Sequence, residues 1–471
     1  MNSRRLSLSS LPLVALALLA ACSGDPGEKG DTGVPGQNAP ATSEPQARFV
    51  VPNKGVLDRE LDVVVSGAAT KFDANTAVDF GAGITVVSKT LISATSLGVK
   101  IKIDKGAALG ARDVKVGDLT AAKAFEVKPG ITVKTTSSAQ QGGIGALEVE
   151  NLDDRAFDAN AFQIAAAGLV PFGAQTTGPF GAQGLVLVPP LAATGKLQVS
   201  ADNLDSTGKP RLSFFSAPGV LDVVARSSTA LAMGTAKNNE TFAAATESKL
   251  YKVSTPANAN AIVSLTMRVL DGQLTALSTV LWGAGGKAED LLGRHEAVEQ
   301  TIFGPFPKEA PYELVITLPI PSGPAKDYFL TALDLSGETN TKFNLVPTQV
   351  SATVVDEAAG VHDAQASAQD LAVAPAGSGI LLRGEITDTK LDWYKFTVAA
   401  GESIEIGLDA AAGGQAGVND GTEFLVVTES GKNLVGNGAV TAALQAGQHF
   451  IAVAGEKGKY TLAVKRIAAP N

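Results

Sequence analysis

The 471-residue sequence predicts an all-β protein made of tandem β-sandwiches that follow a disordered N-terminal linker. Short valine-rich runs with alternating apolar and polar residues recur along the chain, as in VKIKI at 99–103, and a period of two is typical of half-buried strands. Glycine is abundant (50 residues) and aromatic residues make up only 5%, which suits short strands joined by many turns. A chain of this length exceeds one hydrophobic core, so we expect several domains.

Residues 1–21 have the features of an export signal. Arg4 and Arg5 precede an apolar run at 11–21, which is shorter than the ~20 residues that a membrane-spanning helix needs. The run ends in LAAC, with the cysteine at Cys22, and this ending resembles the lipobox of bacterial lipoproteins. The resemblance implies cleavage before Cys22 and acylation of that residue.

Cys22 is the only cysteine in the chain, so no intramolecular disulfide can form. Several acyl chains together give stable membrane anchoring, whereas one chain gives marginal binding. By the rule of the lipoprotein family, Ser23 implies the outer membrane of a two-membrane bacterium, on its periplasmic or surface face. An ordinary secretory signal with an incidental cysteine is the alternative.

Residues 22–46 are predicted to form a disordered tether. Five collagen-like triplets, GDP, GEK, GDT, GVP and GQN, fill 24–38, and the polar segment up to Gln46 has nothing to bury. About 15 residues are few for a collagen triple helix, so we expect a monomer whose extended tether reaches up to ~75 Å at ~3.1 Å per residue. Trimerisation through the triplets is the alternative.

Net charge excludes one class of partner. Removal of Arg4 and Arg5 leaves 36 Lys and Arg against 47 Asp and Glu, a net charge of −11. An acidic chain is a poor ligand for nucleic acid.

The first folded segment is predicted at 47–134. It contains VVVSG at 63–67, VDFGAGITV at 78–86, SATSL at 93–97 and GAALGARDV at 106–114. These four blocks, in this order, resemble Ig-like domains of the IPT/TIG kind, although GAATKF at 67–72 departs from that pattern. The resemblance implies a spacer or binding module. For 135–218, strands such as ALEVE at 146–150 and LVLV at 185–188 predict a second β-sandwich.

The last two segments, 219–350 and 351–471, repeat the same motifs in the same order, which indicates duplication. The first carries YKVS at 251–254, IVSL at 262–265, FLTAL at 329–333 and KFNL at 342–345, and the second carries YKFT at 394–397, IEIGL at 404–408, FIAV at 450–453 and KYTL at 459–462.

The second copy resembles the bacterial pre-peptidase C-terminal domain in LDWYKFTV at 391–398, EFLVV at 423–427 and LQAGQHFIAV at 444–453. That resemblance implies a jelly-roll-like sandwich. Some family members bind calcium through an acidic opening segment, but VHDAQ at 361–365 lacks its pattern, so calcium is unsupported and no cofactor is assigned.

Candidates for catalysis or metal binding are few. His295-Glu296 starts like a zinc-protease helix, but Glu299 occupies the position of the second histidine ligand. We expect surface or packing roles for His362 and His449. The adjacent acids Asp153-Asp154 and Glu289-Asp290 are expected to be solvated.

The remaining candidates are one stretch with several oxygen-bearing side chains and the two tryptophans, whose large aromatic rings could contact a ligand. Asp409, Asn419, Asp420 and Glu423 offer such ligands, although a polar loop is the preferred interpretation. Trp393 fits a strand pattern and is expected in the core. Trp282, in a glycine-rich segment, is the candidate for an exposed contact.

Taken together, these features predict a lipid-anchored, non-enzymatic cell-envelope or surface protein. Its tandem sandwiches would serve a structural, adhesion or binding role, with the membrane as one partner through Cys22 and a protein or glycan as the other. An accessory component of a secreted hydrolase system and a polysaccharide-binding lipoprotein are the alternatives.

Overall fold

The computed structural model describes residues 44–134, 138–152, 161–178, 181–242, 247–271, 277–297, 312–334, 342–360, 362–372, 377–387, 391–431 and 438–469. These residues form β-strands and two short 3-10 helices, and they contain no α-helix. The predicted all-β fold of tandem sandwiches is therefore confirmed. The chain divides into two compact units, the first ending at Val127 and the second beginning at Lys128. The signal segment and nearly all of the tether lie outside the described residues.

The first unit is a sandwich of two four-stranded sheets, with strand orders β1-β3-β6-β5 and β2-β8-β7-β4. Its strands are β1 (Gln46–Val51), β2 (Lys54–Val56), β3 (Arg59–Ala68), β4 (Val78–Asp79), β5 (Ile84–Ser93), β6 (Ser96–Ile103), β7 (Gly110–Val116) and β8 (Leu119–Lys128).

Alternation along β3 and β6 builds the core of this sandwich. Val63 and Val65 on β3 are buried, as are Val99 and Ile101 on β6, because every second side chain of a strand points to the same face. In this core, Phe80 meets the ring of Phe125 edge to face at 5.3 Å.

The second unit begins with another sandwich, which encloses its own hydrophobic core. Its sheets have the orders β13-β14-β11-β9, β10-β18-β15 and β12-β16-β17. The strands are β9 (Thr132–Val133), β10 (Ala139–Gln140), β11 (Gly143–Glu150), β12 (Phe162–Ala166), β13 (Val170–Gly178), β14 (Gly181–Val188), β15 (Gly195–Leu197), β16 (Val199–Leu204), β17 (Pro210–Phe215) and β18 (Leu221–Val224).

Two further sandwiches follow, and we call them the first and the last repeat. The first repeat consists of β19 (Thr229–Leu231), β20 (Lys237–Thr241), β21 (Ser248–Ser254), β22 (Ala261–Asp271), β23 (Leu277–Trp282), β24 (Leu291–Ala297), β25 (Tyr312–Ile320), β26 (Asp327–Asp334) and β27 (Lys342–Asp356). The last repeat consists of β28 (Gln369–Asp370), β29 (Ser378–Ile386), β30 (Asp392–Val398), β31 (Ser403–Asp409), β32 (Gly414–Asn419), β33 (Phe424–Ser430), β34 (Gly438–Val440), β35 (Gly447–Gly455) and β36 (Gly458–Ile467). The 3-10 helices are Ala288–Asp290 and Gln365–Ser367.

Both repeats have the same topology. One sheet runs β19-β21-β26-β23-β24 in the first repeat and β28-β30-β35-β32-β33 in the last, and each begins with a parallel pair. The opposing strands are ordered β20-β27-β22-β25 and β29-β36-β31-β34. The register agrees as well, since Lys252 pairs with Phe329 and Lys395 pairs with Phe450. Each strand of the first repeat therefore has a counterpart in the last.

One long strand joins the repeats into a common sheet. β27 has 15 residues and pairs with β20 near its beginning. Its end, Ser351–Asp356, then pairs in parallel with Ser378–Arg383 of β29. The result is an eight-stranded sheet with four strands from each repeat. The boundary that the sequence suggested at residue 350 thus lies inside a continuous strand.

A buried charge lies where the two halves of this sheet face each other. Glu405 on β31 is only 2% exposed and accepts hydrogen bonds from the hydroxyls of Ser264 (2.5 Å) and Thr317 (2.8 Å) in the first repeat. Lys465 on β36 places its Nζ 2.9 Å from the Glu405 carboxylate. A buried carboxylate is tolerated only when it is paired and hydrogen-bonded. Here the first repeat supplies two of the hydrogen-bond donors.

Two glycines allow this close approach. A Cβ atom at Gly407 would lie 2.6 Å from the Cβ of Thr317, and one at Gly438 would lie 2.9 Å from the carbonyl oxygen of Val315. Any larger residue would push the repeats apart, so these positions require glycine.

We expect Glu405→Gln to lower the free energy of unfolding of the second unit by about 3 kcal/mol, because it leaves Lys465 largely buried without its counter-charge. The loss should appear as a lower midpoint in thermal and urea unfolding. The matched control is Glu313→Gln, which removes an exposed ion pair with Arg268 at 3.8 Å and should cost less than about 1 kcal/mol. Equal effects of the two variants would contradict the role assigned to Glu405.

Candidate functional site

Several candidates from the sequence lie outside the described residues, namely Cys22, Asp153-Asp154 and Glu299. His295 lies within β24, a strand that pairs with β23, and the helix that a zinc protease motif requires is therefore not formed there. Glu289 and Asp290 belong to a short 3-10 helix, where the Asp290 carboxylate accepts the backbone N–H of Lys287 at 3.0 Å.

Three of the four oxygen-bearing candidates, Asn419, Asp420 and Glu423, lie in one turn after β32 whose polar groups hydrogen-bond to one another, whereas Asp409 lies at the end of β31. Asp420 accepts hydrogen bonds from the Thr422 hydroxyl (2.6 Å) and from the backbone N–H groups of Thr422 and Glu423, and these bonds lower the pKa of Asp420 to about 2. Asn419 accepts the N–H of Gly421 at 2.6 Å. Within the described part of the chain, no three His, Cys, Asp or Glu side chains are grouped to hold a metal ion.

The other two histidines contact backbone carbonyls. Nε2 of His362 lies 2.7 Å from the carbonyl oxygen of Ala358, and Nε2 of His449 lies 3.0 Å from that of Gln445. His449 is buried against the ring of Phe396. Both imidazoles therefore serve local packing.

Trp282 is not an exposed contact, and that expectation was wrong. Its side chain is 1% exposed, and its indole N–H donates to the hydroxyl of Thr331 at 3.2 Å. The residue packs in a cluster that joins the first repeat to the preceding sandwich. The glycines that follow Trp282 form a turn after β23 and leave the strand itself in the interior.

Trp393 is likewise not a core residue. Tyr394 and Phe396 on β30 are fully buried, so the alternation of the strand turns Trp393 and Lys395 to the outer face. There the Trp393 ring stacks on Phe424 at 6.4 Å and meets Phe450 edge to face at 6.2 Å. We call Trp393, Phe424, Val427 and Phe450 the aromatic face of the last repeat.

Small residues make the floor of the aromatic face. Trp393 pairs with Ala452, Ala452 with Gly417, and Gly417 with Val427 across adjacent strands. Because Gly417 has no side chain, the Phe424 ring lies over it, where a Cβ would be 2.6 Å from the ring. Phe424 is 46% exposed and Val427 is 49% exposed. At the rim, Gln415 donates to Glu429 at 2.6 Å, which adds amide and carboxylate groups.

The turn after β32, whose polar groups hydrogen-bond to one another, positions Phe424. Asp420 fixes the backbone of Thr422 and Glu423, and β33 begins at the next residue. Gln365 donates to Asn419 at 3.2 Å and ties the segment before β28 to the same turn. Asn419, Asp420 and Glu423, three of the four residues first considered as metal ligands, thus support the aromatic face.

The equivalent face of the first repeat is covered. By register, Leu250, Phe329 and Leu291 correspond to Trp393, Phe450 and Phe424. Leu250 and Phe329 are buried against Leu187 of β14 and its neighbours in the preceding sandwich. The same sheet face is therefore an interface in one repeat and is open in the other.

A cleft of about 610 Å³ lies where the end of β27 meets the last repeat, and it is lined by Asp356, Glu357, Arg383, Gly384, Glu385, Asp409, Ala411, Lys459, Tyr460 and Thr461. Arg383 forms a fork with Asp356 at 2.8 and 3.0 Å, and Glu357 accepts the hydroxyl of Tyr394 at 3.0 Å. Burial raises the pKa of Asp409. Asp356 and Glu357 are thus held by groups of the protein, and we assign no ligand to the cleft.

No protein-family model and no curated protein sequence matches this chain. Among solved structures, it is similar to SGBP-B of the Bacteroides ovatus mixed-linkage glucan utilization locus, in complex with a mixed-linkage heptasaccharide (11% identity, 64% of this chain, 74% of that chain, TM-score 0.17). It is also similar to tripeptidyl peptidase 2 (9%, 71% and 33%, TM-score 0.15) and to domains 5–6 of the S-layer protein SbsC (14%, 39% and 100%, TM-score 0.15). This chain spans only a third of tripeptidyl peptidase 2. Likenesses at these TM-scores define neither a family nor an activity.

The described residues include no helix with the length and hydropathy of a membrane span.

Acrylamide quenching should distinguish the two tryptophans. In Trp282→Phe the emission comes from half-buried Trp393 and should be quenched readily. In Trp393→Phe it comes from Trp282, which is 1% exposed, and should be shifted to the blue and quenched several-fold less. Comparable quenching constants for the two variants would contradict these positions. Circular dichroism of both variants checks that the fold is retained.

Proposed function

We propose that this chain is a lipid-anchored, non-enzymatic protein of the bacterial cell envelope that binds a macromolecular ligand through the aromatic face of its last repeat. One observation carries the proposal. The equivalent face in the first repeat packs on another sandwich, whereas Trp393, Phe424 and Phe450 remain open. Monomeric proteins rarely leave contiguous apolar surface exposed unless it binds something.

The composition of the face suits binding of modest affinity. Aromatic contacts contribute about 0.5–1.5 kcal/mol each beyond the area that they bury. A few such contacts support dissociation constants in the micromolar to millimolar range. Many anchored copies on one surface would raise the effective affinity through multivalency, as an adhesion role requires.

Two ligand classes fit this face. A flat apolar surface of a partner protein would cover it in the way that the preceding sandwich covers Leu250 and Phe329, and this internal precedent makes a protein the first candidate. A polysaccharide is the second candidate, because sugar rings can stack on Trp393 while their hydroxyl groups reach Gln415 and Glu429 at the rim. Trp393 therefore replaces Trp282 as the residue proposed to contact a glycan.

The anchor rests on the sequence around Cys22. An apolar run, the LAAC ending and the lone cysteine agree with acylation of that residue. We place the protein at the outer membrane, with the tether between the lipid and the first sandwich.

A photo-cross-linker should capture the ligand of the aromatic face. Val427→p-benzoylphenylalanine places the reactive group on β33, at a position that is 49% exposed. Irradiation in the native envelope should give an adduct whose mass and composition identify a protein or a polysaccharide. Adding Trp393→Ala should reduce the yield about fivefold, which corresponds to a loss of roughly 1 kcal/mol.

The control places the same cross-linker at Lys457, an exposed loop residue of the same repeat that is absent from the aromatic face. Adduct formation there should be weak and unaffected by Trp393→Ala. Equal yields at the two positions, or a yield at position 427 that Trp393→Ala leaves unchanged, would count against the aromatic face as the binding surface.

Cys22→Ser should release the protein from the membrane fraction, because one side chain carries the entire proposed anchor. Mass spectrometry of the N-terminal peptide should show acyl groups on Cys22 in the parent chain. An unmodified Cys22 in the parent chain would refute the anchor, and the cross-linking yields would still decide the aromatic face.

A further inference from the structure

Four large apolar side chains are exposed together on the first sandwich. Phe49 (53% exposed), Val51 (57%), Val64 (37%) and Ile92 (58%) lie on β1, β3 and β5. All three strands belong to the sheet β1-β3-β6-β5. We call these four residues the N-terminal apolar face.

The four side chains form a continuous surface across the sheet. Val51 pairs with Val64, and Val64 pairs with Gly98 on β6. Cδ1 of Ile92 lies 3.4 Å from the position that a Cβ of Gly98 would take, so Ile92 covers this glycine on the outer face. The apolar strip therefore reaches from the β1 edge to the β5 edge.

Two runs of three residues are apolar on both faces of the sheet, whereas further outward positions of β3 and β6 carry Glu60, Asp62, Lys100 and Lys102. In VVV at 63–65, Val63 and Val65 point into the core while Val64 points out, and in FVV at 49–51 only Val50 is buried. A contiguous exposed apolar surface of this kind marks a site that binds a partner or a membrane. In the described part of the first unit, only the inner side of this sheet is covered by its own sandwich.

The chain before β1 indicates what covers the other side. β1 begins at Gln46, 24 residues after Cys22. A chain of that length spans at most ~75 Å at ~3.1 Å per residue. The N-terminal apolar face therefore belongs to the folded segment that is nearest in sequence to the proposed anchor, at a high effective concentration of lipid.

We propose that the N-terminal apolar face docks on the lipid surface in which Cys22 is anchored. This inference rests on the anchor of the proposed function. Phe49 and Ile92 enter the boundary between head groups and acyl chains, as the apolar side of a membrane-surface segment does. Arg48, exposed beside Phe49, lies at head-group level and attracts anionic lipid.

The test measures the depth of single positions in vesicles of phosphatidylethanolamine and phosphatidylglycerol with brominated acyl chains. The full mature chain is coupled to a maleimide lipid through Cys22, its only cysteine, so the result does not depend on natural acylation. Phe49→Trp reports on the N-terminal apolar face. Thr120→Trp, at an exposed position on β8 of the opposite sheet, is the matched control against the common background of Trp282 and Trp393.

We expect bromine to quench the added indole of Phe49→Trp about threefold more than that of Thr120→Trp, since a docked ring sits ~5–10 Å into the boundary. Adding Val51→Glu to Phe49→Trp should abolish the difference. Equal quenching at positions 49 and 120 would overturn the docking. Sedimentation that shows a dimer lost on Phe49→Glu, together with equal quenching, would assign the face to a second copy instead and would equally refute it. Failure of natural acylation would be seen separately, in the mass of the N-terminal peptide.

Discussion

The pairing of β27 with β29 is the constraint on which the C-terminal half of the chain depends, because it places strands of two repeats in one sheet. Six consecutive residues of each strand are joined in parallel register. Once the sheet is continuous, its halves can face each other, and Glu405 can reach the hydroxyls of Ser264 and Thr317. The buried carboxylate then makes this arrangement specific, since any other placement of the repeats would remove its two hydroxyl donors and leave Lys465 as its remaining partner.

The two repeats have equivalent sheet faces, and the surroundings of each face decide its role. In the first repeat, Trp282 and Phe329 lie under the preceding sandwich and form a permanent interface. In the last repeat, Asn419 stands at the position of Trp282 and Phe424 at that of Leu291. The turn that follows Asn419 is closed by internal hydrogen bonds, and these bonds hold Phe424 over Gly417. The same strand arrangement thus forms an interface with the preceding sandwich in the first repeat and an open surface in the last repeat.

The strands and the duplication could be predicted from the sequence, because a period of two and repeated motifs are local properties of the chain. The site could not. Around Trp393 both alternating positions carry aromatic residues, and only the polar side chains of Lys395 and Thr397, which have the parity of Trp393, mark the outer face. Glu405 between two isoleucines has the pattern of a solvent-facing residue, and its burial arises from a repeat that begins more than a hundred residues earlier. The prediction for Trp282 was wrong because the glycines after it suggested exposure, whereas Trp282 is the last residue of β23, an inner strand of its sheet.

The parallel pairing of β27 and β29 also has a mechanical consequence. Tension that pulls the beginning of β27 away from the end of β29 runs along the strands and loads the evenly spaced, slanted hydrogen bonds between them in shear. All bonds of the six-residue pairing then bear the load at once and must break together, instead of opening one after another like a zipper. A protein that joins a membrane to a ligand would gain from such a joint, because shear across it resists extension until the whole pairing fails.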